Sequence, residues 1–288
     1  MSVFLDYDQA QLDACYDQAV WAPNQALMHR RQVWLSANAR KRLAPPQRFA
    51  YGGGDMEHLD VYRTARDGAP VLMFVHGGAW KVNSSERYAF AAETFVNAGA
   101  HFVLVDFDGV ENTGRQLLPI ADQVRRAIAW VYQNAAAFGG DRARIHVCGH
   151  SSGAHLTSCT LVTDWSAYGV PESVIAGAIC CSGMYELAPV RLSARSSYVD
   201  FDDATVDALS ALRRVERITM PLVLAYGTEE SPEFQRQARE FAAALTAAGK
   251  NVQLIVGDAY NHFEISETLG NPYGLLGRAA LEQLHLTA

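Results

Sequence analysis

The chain has 288 residues, of which 49% are hydrophobic and 19% charged, with a net charge of −7. This balance fits one folded domain with a well-covered core, excludes a disordered chain, and argues against nucleic acid as a partner. No stretch reaches the length of a membrane-spanning helix, residues 1–8 lack the basic start and apolar centre of a secretory leader, and five cysteines without regular spacing do not form a disulfide framework.

In chain order, residues 8–50 carry helix-like stretches of polar, basic flavour ending in Ala44-Pro45-Pro46, and read as an N-terminal arm (1–50) packed on the domain. Residues 56–62 read as a strand with Leu59 and Val61 on one face, followed by the turn Arg66-Asp67-Gly68-Ala69. Residues 70–75 form a buried-strand run that ends in His76-Gly77-Gly78-Ala79-Trp80. Helical signal over 89–97 is closed by Gly99, and 101–106 is the next strand. Val124, Ile128, Val131 and Tyr132 recur at helical spacing within 119–138, which Gly139-Gly140 stops. A short apolar run at 144–148, a helix over 154–161 and strands at 174–181, 221–227 and 252–256 complete the series. Phe234, Ala238, Phe241, Ala242 and Leu245 make a helical stripe between the last two strands, ended by Gly249. Such alternation predicts an α/β architecture, with a mostly parallel central sheet covered by helices on both faces.

Gly149-His150-Ser151-Ser152-Gly153 lies between the 144–148 strand and the following helix. A Gly-x-Ser-x-Gly turn in that setting is the nucleophile elbow of the α/β-hydrolases, and the fold expected is an α/β-hydrolase with a small cap insertion. Upstream, the glycine-rich turn after an early strand supplies oxyanion donors in this fold. The candidates are the N–H groups of Gly77, Gly78 and Ser152; one such donor is worth about 3–4 kcal/mol in the transition state. The plain alternative for that turn is a strand-to-loop connection without chemistry.

Residues 185–218 break the alternation, are mixed in polarity, and lie between two core strands. They read as a cap above the C-terminal ends of the strands, where open α/β sheets bind ligands. A surface excursion is the alternative. The whole chain reads as a single domain, 1–288.

A serine hydroxyl needs a base, and the base needs a third group that orients it. In this fold the chain order is Ser, then acid, then His. The only histidines after His155 are His262 and His285, and His285 is close to the C-terminus, so His262 is the expected base. Glu230 is the favoured acid because it lies at the start of the next helix; Glu229 and Asp258 compete. His76 and His150 read as braces for their turns. His146, His150 and His155 lack the carboxylates or cysteines that would complete a metal site, so neither metal nor cofactor is expected. Trp80 and Tyr185 are candidates for the walls of an aromatic leaving-group pocket, against ordinary core packing.

With these residues in place the chain resembles kynurenine formamidase (arylformamidase). The matching segments are His76-Gly77-Gly78-Ala79-Trp80, Gly149-His150-Ser151-Ser152-Gly153-Ala154-His155-Leu156, Ser182-Gly183-Met184-Tyr185-Glu186-Leu187, Ser231-Pro232-Glu233-Phe234-Gln235-Arg236-Gln237 and Asn261-His262-Phe263-Glu264-Ile265. The resemblance implies a Ser-acid-His hydrolase with Ser151 and His262 on matching positions, and favours Glu230 as the acid. Glu230 where aspartate is common, and no proline after Ser210, are departures. The expected activity is hydrolysis of a small arylformamide or related amide through an acyl-enzyme. A carboxylesterase for small aryl or short-acyl esters is the alternative, and a non-catalytic binding protein on the same scaffold is more remote. A small molecule is the expected partner, with no nucleic acid and no membrane, in a cytoplasmic protein compatible with a homodimer.

Overall fold

The computed structural model describes residues 2–82 and 84–287. Eight strands form one sheet: β1 (Gln47–Ala50), β2 (His58–Tyr62), β3 (Ala69–Val75), β4 (His101–Val105), β5 (Gly140–His150), β6 (Gly177–Cys181), β7 (Leu222–Gly227) and β8 (Val252–Gly257). Their spatial order is β1-β2-β4-β3-β5-β6-β7-β8. The pairs β1·β2 and β2·β4 are antiparallel and all the others parallel. The helices are α1 (Gln9–Tyr16), α2 (Gln18–Trp21), α3 (Gln25–Arg42), α4 (Ala92–Ala98), α5 (Leu118–Asn134), α6 (Ser152–Leu161), α7 (Ala188–Arg191), α8 (Asp203–Ala208), α9 (Pro232–Ala247), α10 (Glu264–Glu267) and α11 (Leu275–Gln283). The described residues contain no helix long and apolar enough to cross a membrane.

Strands β3, β4, β6 and β7 are buried along their whole length, and β5 from Ile145 to His150, because both faces of the sheet are covered there. Successive side chains point to opposite faces. Val71, Met73 and Val75 of β3 therefore join the core on one side with α5, α6 and α9, while Leu72 and Phe74 join the core on the other side with α4 and α11. The α5 stripe Val124, Ile128 and Val131 is fully buried. Ser231 caps α9 by accepting the Phe234 N–H, with Pro232 at the first helical position.

The N-terminal segment is more structured than a packed arm. Its helices α1–α3 are followed by β1, whose residues pair with β2 at the sheet edge. The composition of Gln47-Arg48-Phe49-Ala50 conceals this strand, since three of the four residues are exposed. Arg48 and Asp60 pair across that edge at 2.7 Å. Residues 185–218 fold into α7, α8 and short 3-10 turns between β6 and β7. Arm and insertion lock together: Asp13 accepts the Ala194 N–H at 2.6 Å, and Gln9 donates to the Leu192 carbonyl at 2.9 Å. From beneath, Gln237 Oε1 accepts the N–H groups of Tyr185 and Glu186 at 2.6 and 2.9 Å.

Candidate active site

The elbow is a strained turn built by its neighbours. Strand β5 ends at His150, α6 starts at Ser152, and Ser151 between them has φ 59° and ψ −126°. That region is costly for a residue with a Cβ, so the surroundings must hold it there. The Ser151 N–H donates to the Cys181 carbonyl at 2.9 Å, which ties the turn to β6. Glycine is required at 153 because a Cβ there would lie 2.1 Å from the Val75 carbonyl oxygen. The helix thus starts directly against the end of β3.

A continuous chain of hydrogen bonds runs from Ser151. Its Oγ lies 2.9 Å from His262 Nε2, and His262 Nδ1 lies 2.9 Å from Glu230 Oε2. The other carboxylate oxygen, Oε1, accepts from Ser182 Oγ at 2.6 Å and from the Gly227 N–H at 2.7 Å. Glu230 and His262 are 1% and 2% exposed, so this chain operates out of water. A carboxylate receiving Nδ1–H leaves Nε2 bare and facing the serine, the tautomer a general base needs. The His262 carbonyl accepts His150 Nε2–H at 2.8 Å. Burial pushes the His150 imidazole well below the ordinary histidine range, so it stays neutral.

The glycine-rich turn lies across from the elbow. Gly78, Ala79 and Trp80 have φ of 125°, 56° and 60°, three left-handed residues in succession. The Trp80 N–H donates to Ser152 Oγ at 3.2 Å, tying the turn to the first residue of α6. Among the described residues, no hydrogen bond uses the N–H groups of Gly77, Gly78 or Ser152. His76 braces the turn by donating Nδ1–H to the Gly77 carbonyl at 2.9 Å and stacking on Phe107.

Ser151, His150, His262 and Gly78 open into a cavity of about 510 Å³ whose other walls include Tyr16, Gln18, His29, Arg87, Arg195 and Tyr198. The site is therefore a buried hydrogen-bonded triad at the base of a pocket roofed by the N-terminal helices and the insertion.

Residues 59–167 match the BD-FAE family. A kynurenine formamidase from Danio rerio is 29% identical over 99% of both chains. Another from Salmo salar is 33% identical over 76% of this chain and 75% of its own. The chain belongs to the kynurenine formamidase family. An esterase from Pyrobaculum calidifontis, at 16% identity, shares its fold with a TM-score of 0.72 over 92% of this chain and 93% of its own. This kynurenine formamidase relative is an enzyme, a serine hydrolase of the α/β-hydrolase fold, so the non-catalytic scaffold falls away.

Two expectations about this family member are corrected by the structure. Neither Trp80 nor Tyr185 lines the cavity. Trp80 is 1% exposed, and its indole N–H donates to His155 Nδ1 at 3.1 Å. His155 in turn donates Nε2–H to the Leu209 carbonyl at 3.0 Å. Tyr185 is fully buried and stacks on Phe241 of α9 with ring centroids 4.5 Å apart. The left-handed turn at 78–80 swings the indole beneath the site, and the chain leaving β6 carries Tyr185 down onto α9. Both are core residues.

Among the competing acids, Asp258 and Glu229 are exposed, and neither approaches His262. Ser182, Tyr16, Gln18, Arg87 and Arg195 were not anticipated. Ser182 alone left a signal, a serine directly after a buried strand and before Gly183. Tyr16, Gln18 and Arg195 reach the site only because α1, α2 and the insertion fold over it, and Arg87 comes from the 3-10 turn directly before α4.

Proposed function

We propose that this chain hydrolyses a small arylformamide of the N-formylkynurenine kind through a formyl-enzyme, acting on a free small molecule in the cytoplasm. Ser151 Oγ gives its proton to His262 Nε2 and bonds to the formyl carbon. The carbonyl electron pair moves to oxygen, where the N–H groups of Gly77, Gly78 and Ser152 receive the negative charge. Glu230 holds the imidazole and stabilises the imidazolium. His262 then returns the proton to the leaving nitrogen as the C–N bond breaks. A water, deprotonated by His262, attacks the formyl ester; the C–O bond to Ser151 breaks, releasing formate and restoring the hydroxyl.

The observation that carries this reading is the buried Ser151–His262–Glu230 chain, 2.9 Å at each step, opening at the cavity. Family membership supports a formamide as the substrate. Hydrolysis of small aryl or short-acyl esters is the second reading, favoured by the esterase relatives and by a mechanism that serves both bonds. The test is turnover of N-formylkynurenine and of p-nitrophenyl esters from formyl to octanoyl by one purified sample. The expected result is ready turnover of the formamide and a steep fall in kcat/KM with acyl length, each poorly fitting methylene costing about 1–3 kcal/mol. Ester hydrolysis without formamide hydrolysis would move the assignment to the second reading.

A further inference from the structure

Arg195 is the one arginine buried among the described residues. Arg236, Arg126 and Arg213 each pair with a carboxylate, those of Glu233, Glu57 and Glu186. Arg195 is only 7% exposed, yet no carboxylate lies within 4 Å of it among the described residues. It donates to the Tyr16 carbonyl at 2.9 Å and to the Tyr198 hydroxyl at 3.0 Å, its guanidinium carbon sits 5.3 Å from the centre of the Trp80 ring, and its Nε has no partner. A buried cation without a counter-charge is costly, and the cost is recovered when a ligand brings the anion.

A second residue of the same cavity points the same way. Gln18 of α2 is 7% exposed, and both of its amide atoms lack a protein hydrogen-bond partner among the described residues. Buried amides are normally satisfied, so this one awaits a group that the protein does not supply. Arg87 and Lys81, also on the cavity wall, have no carboxylate partner either among the described residues. The two acids on that wall are engaged: Asp13 accepts from Gln9 and from the Ala194 N–H, and Asp17 caps α2 through the Ala19 N–H.

We propose that Arg195 and Gln18 form a subsite for a carboxylate on the leaving-group side of the substrate, and that this pair sets specificity for anionic over neutral aryl substrates. Arg195 supplies the charge and Gln18 a further donor; a guanidinium is suited to this because its planar fork matches a carboxylate. The proposal rests on Ser151 being the nucleophile of this cavity.

The test uses two substrate pairs that differ by one carboxylate: phenyl acetate against 3-acetoxybenzoate, and formanilide against 3-formamidobenzoate. The wild type is expected to favour the carboxylate member at least tenfold in kcat/KM. Arg195→Met and Gln18→Leu should each lower that ratio at least fivefold, mainly through KM. A wild-type ratio near one, or a ratio unchanged in both variants, overturns the proposal. Because Arg195 also ties α1 to the insertion, the wild type is tested alone as well, by inhibition of phenyl acetate hydrolysis. Benzoate should compete and benzamide should not; equal inhibition by the two overturns the subsite. If only the ester pair is turned over and shows the preference, the formamide reading fails and the subsite stands. Equal turnover of both formamides removes the subsite and leaves the formamide reading intact.

Discussion

Glu230→Gln is the substitution whose effect the geometry predicts most sharply. Three donors converge on the carboxylate: His262 Nδ1–H at Oε2, and the Ser182 hydroxyl and Gly227 N–H at Oε1. An amide has one oxygen, so it cannot accept all three. With its oxygen toward Ser182 and Gly227, its NH₂ faces His262 Nδ1, which must become the acceptor. The proton then sits on Nε2, and the imidazole cannot take one from Ser151. The opposite orientation keeps the tautomer but sets NH₂ against the Gly227 N–H, a buried mismatch costing about 1–3 kcal/mol. The inactive arrangement is thus favoured, and the competent one has lost the charge that stabilises the imidazolium. Together these should lower kcat/KM by about 10³–10⁴, or roughly 4–5.5 kcal/mol of transition-state stabilisation. The assay is p-nitrophenyl acetate and N-formylkynurenine hydrolysis, with thermal melting to verify folding. Asp258→Asn, at an exposed position, should stay within about twofold, the range expected of a surface change. Glu230→Gln keeping more than a tenth of wild-type activity, or Asp258→Asn losing more than Glu230→Gln, would refute the reasoning.

Ser151→Ala should fold normally, lose activity by roughly a thousandfold or more, and escape a fluorophosphonate probe that labels the wild type; retained turnover would point to another nucleophile. Gly153→Ala places a methyl 2.1 Å from the Val75 carbonyl and 2.5 Å from that of His76. Backbone must shift, so melting should drop by about 5 °C or more, and an unchanged melting temperature would contradict the packing described. Burial pushes the His76, His146 and His155 imidazoles down to about 4. Above about pH 6.5, the ordinary histidine value, folded and unfolded states are both neutral at these sites. As pH falls from there toward 4, the unfolded chain takes up protons that the folded one refuses, and stability is lost across that window, by an amount on the order of 3 kcal/mol per fully expressed site. Melting temperature should therefore decline steadily between pH 6.5 and 4.5, and His155→Gln, which can still accept from Trp80 and donate to Leu209, should flatten part of the slope. A wild-type melting temperature constant over that range would show that these rings are not held neutral.

Much of the framework could be read from order and periodicity because each signal is local. A buried strand, a glycine-bounded turn and a helical stripe are set by neighbouring residues, so β3, β5 and the elbow at 149–153 were legible. So was the order Ser151, Glu230, His262, since chain order in this fold dictates which loops meet. The choice among Glu229, Glu230 and Asp258 was not fully local. It depends on Ser182 and Gly227 reaching Oε1 while His262 takes Oε2, three contacts brought together from β6, β7 and the loop after β8. Strand β1 escaped because an edge strand with one solvated side has no apolar run to announce it.

The pocket lay furthest from the sequence. Trp80 and Tyr185 are aromatic and adjacent to motif residues, but left-handed backbone at 78–80 and packing on α9 turn both into the core. The residues that share the cavity with the nucleophile, Gln18 and Arg195, lie far before Ser151 and inside the 185–218 insertion, in segments with no motif. Local sequence determined the strands, the elbow and the helical stripes, because backbone conformation and burial period are written over a few residues. Only the tertiary structure decided what surrounds the nucleophile, because a cavity is formed by side chains whose meeting depends on how distant segments dock.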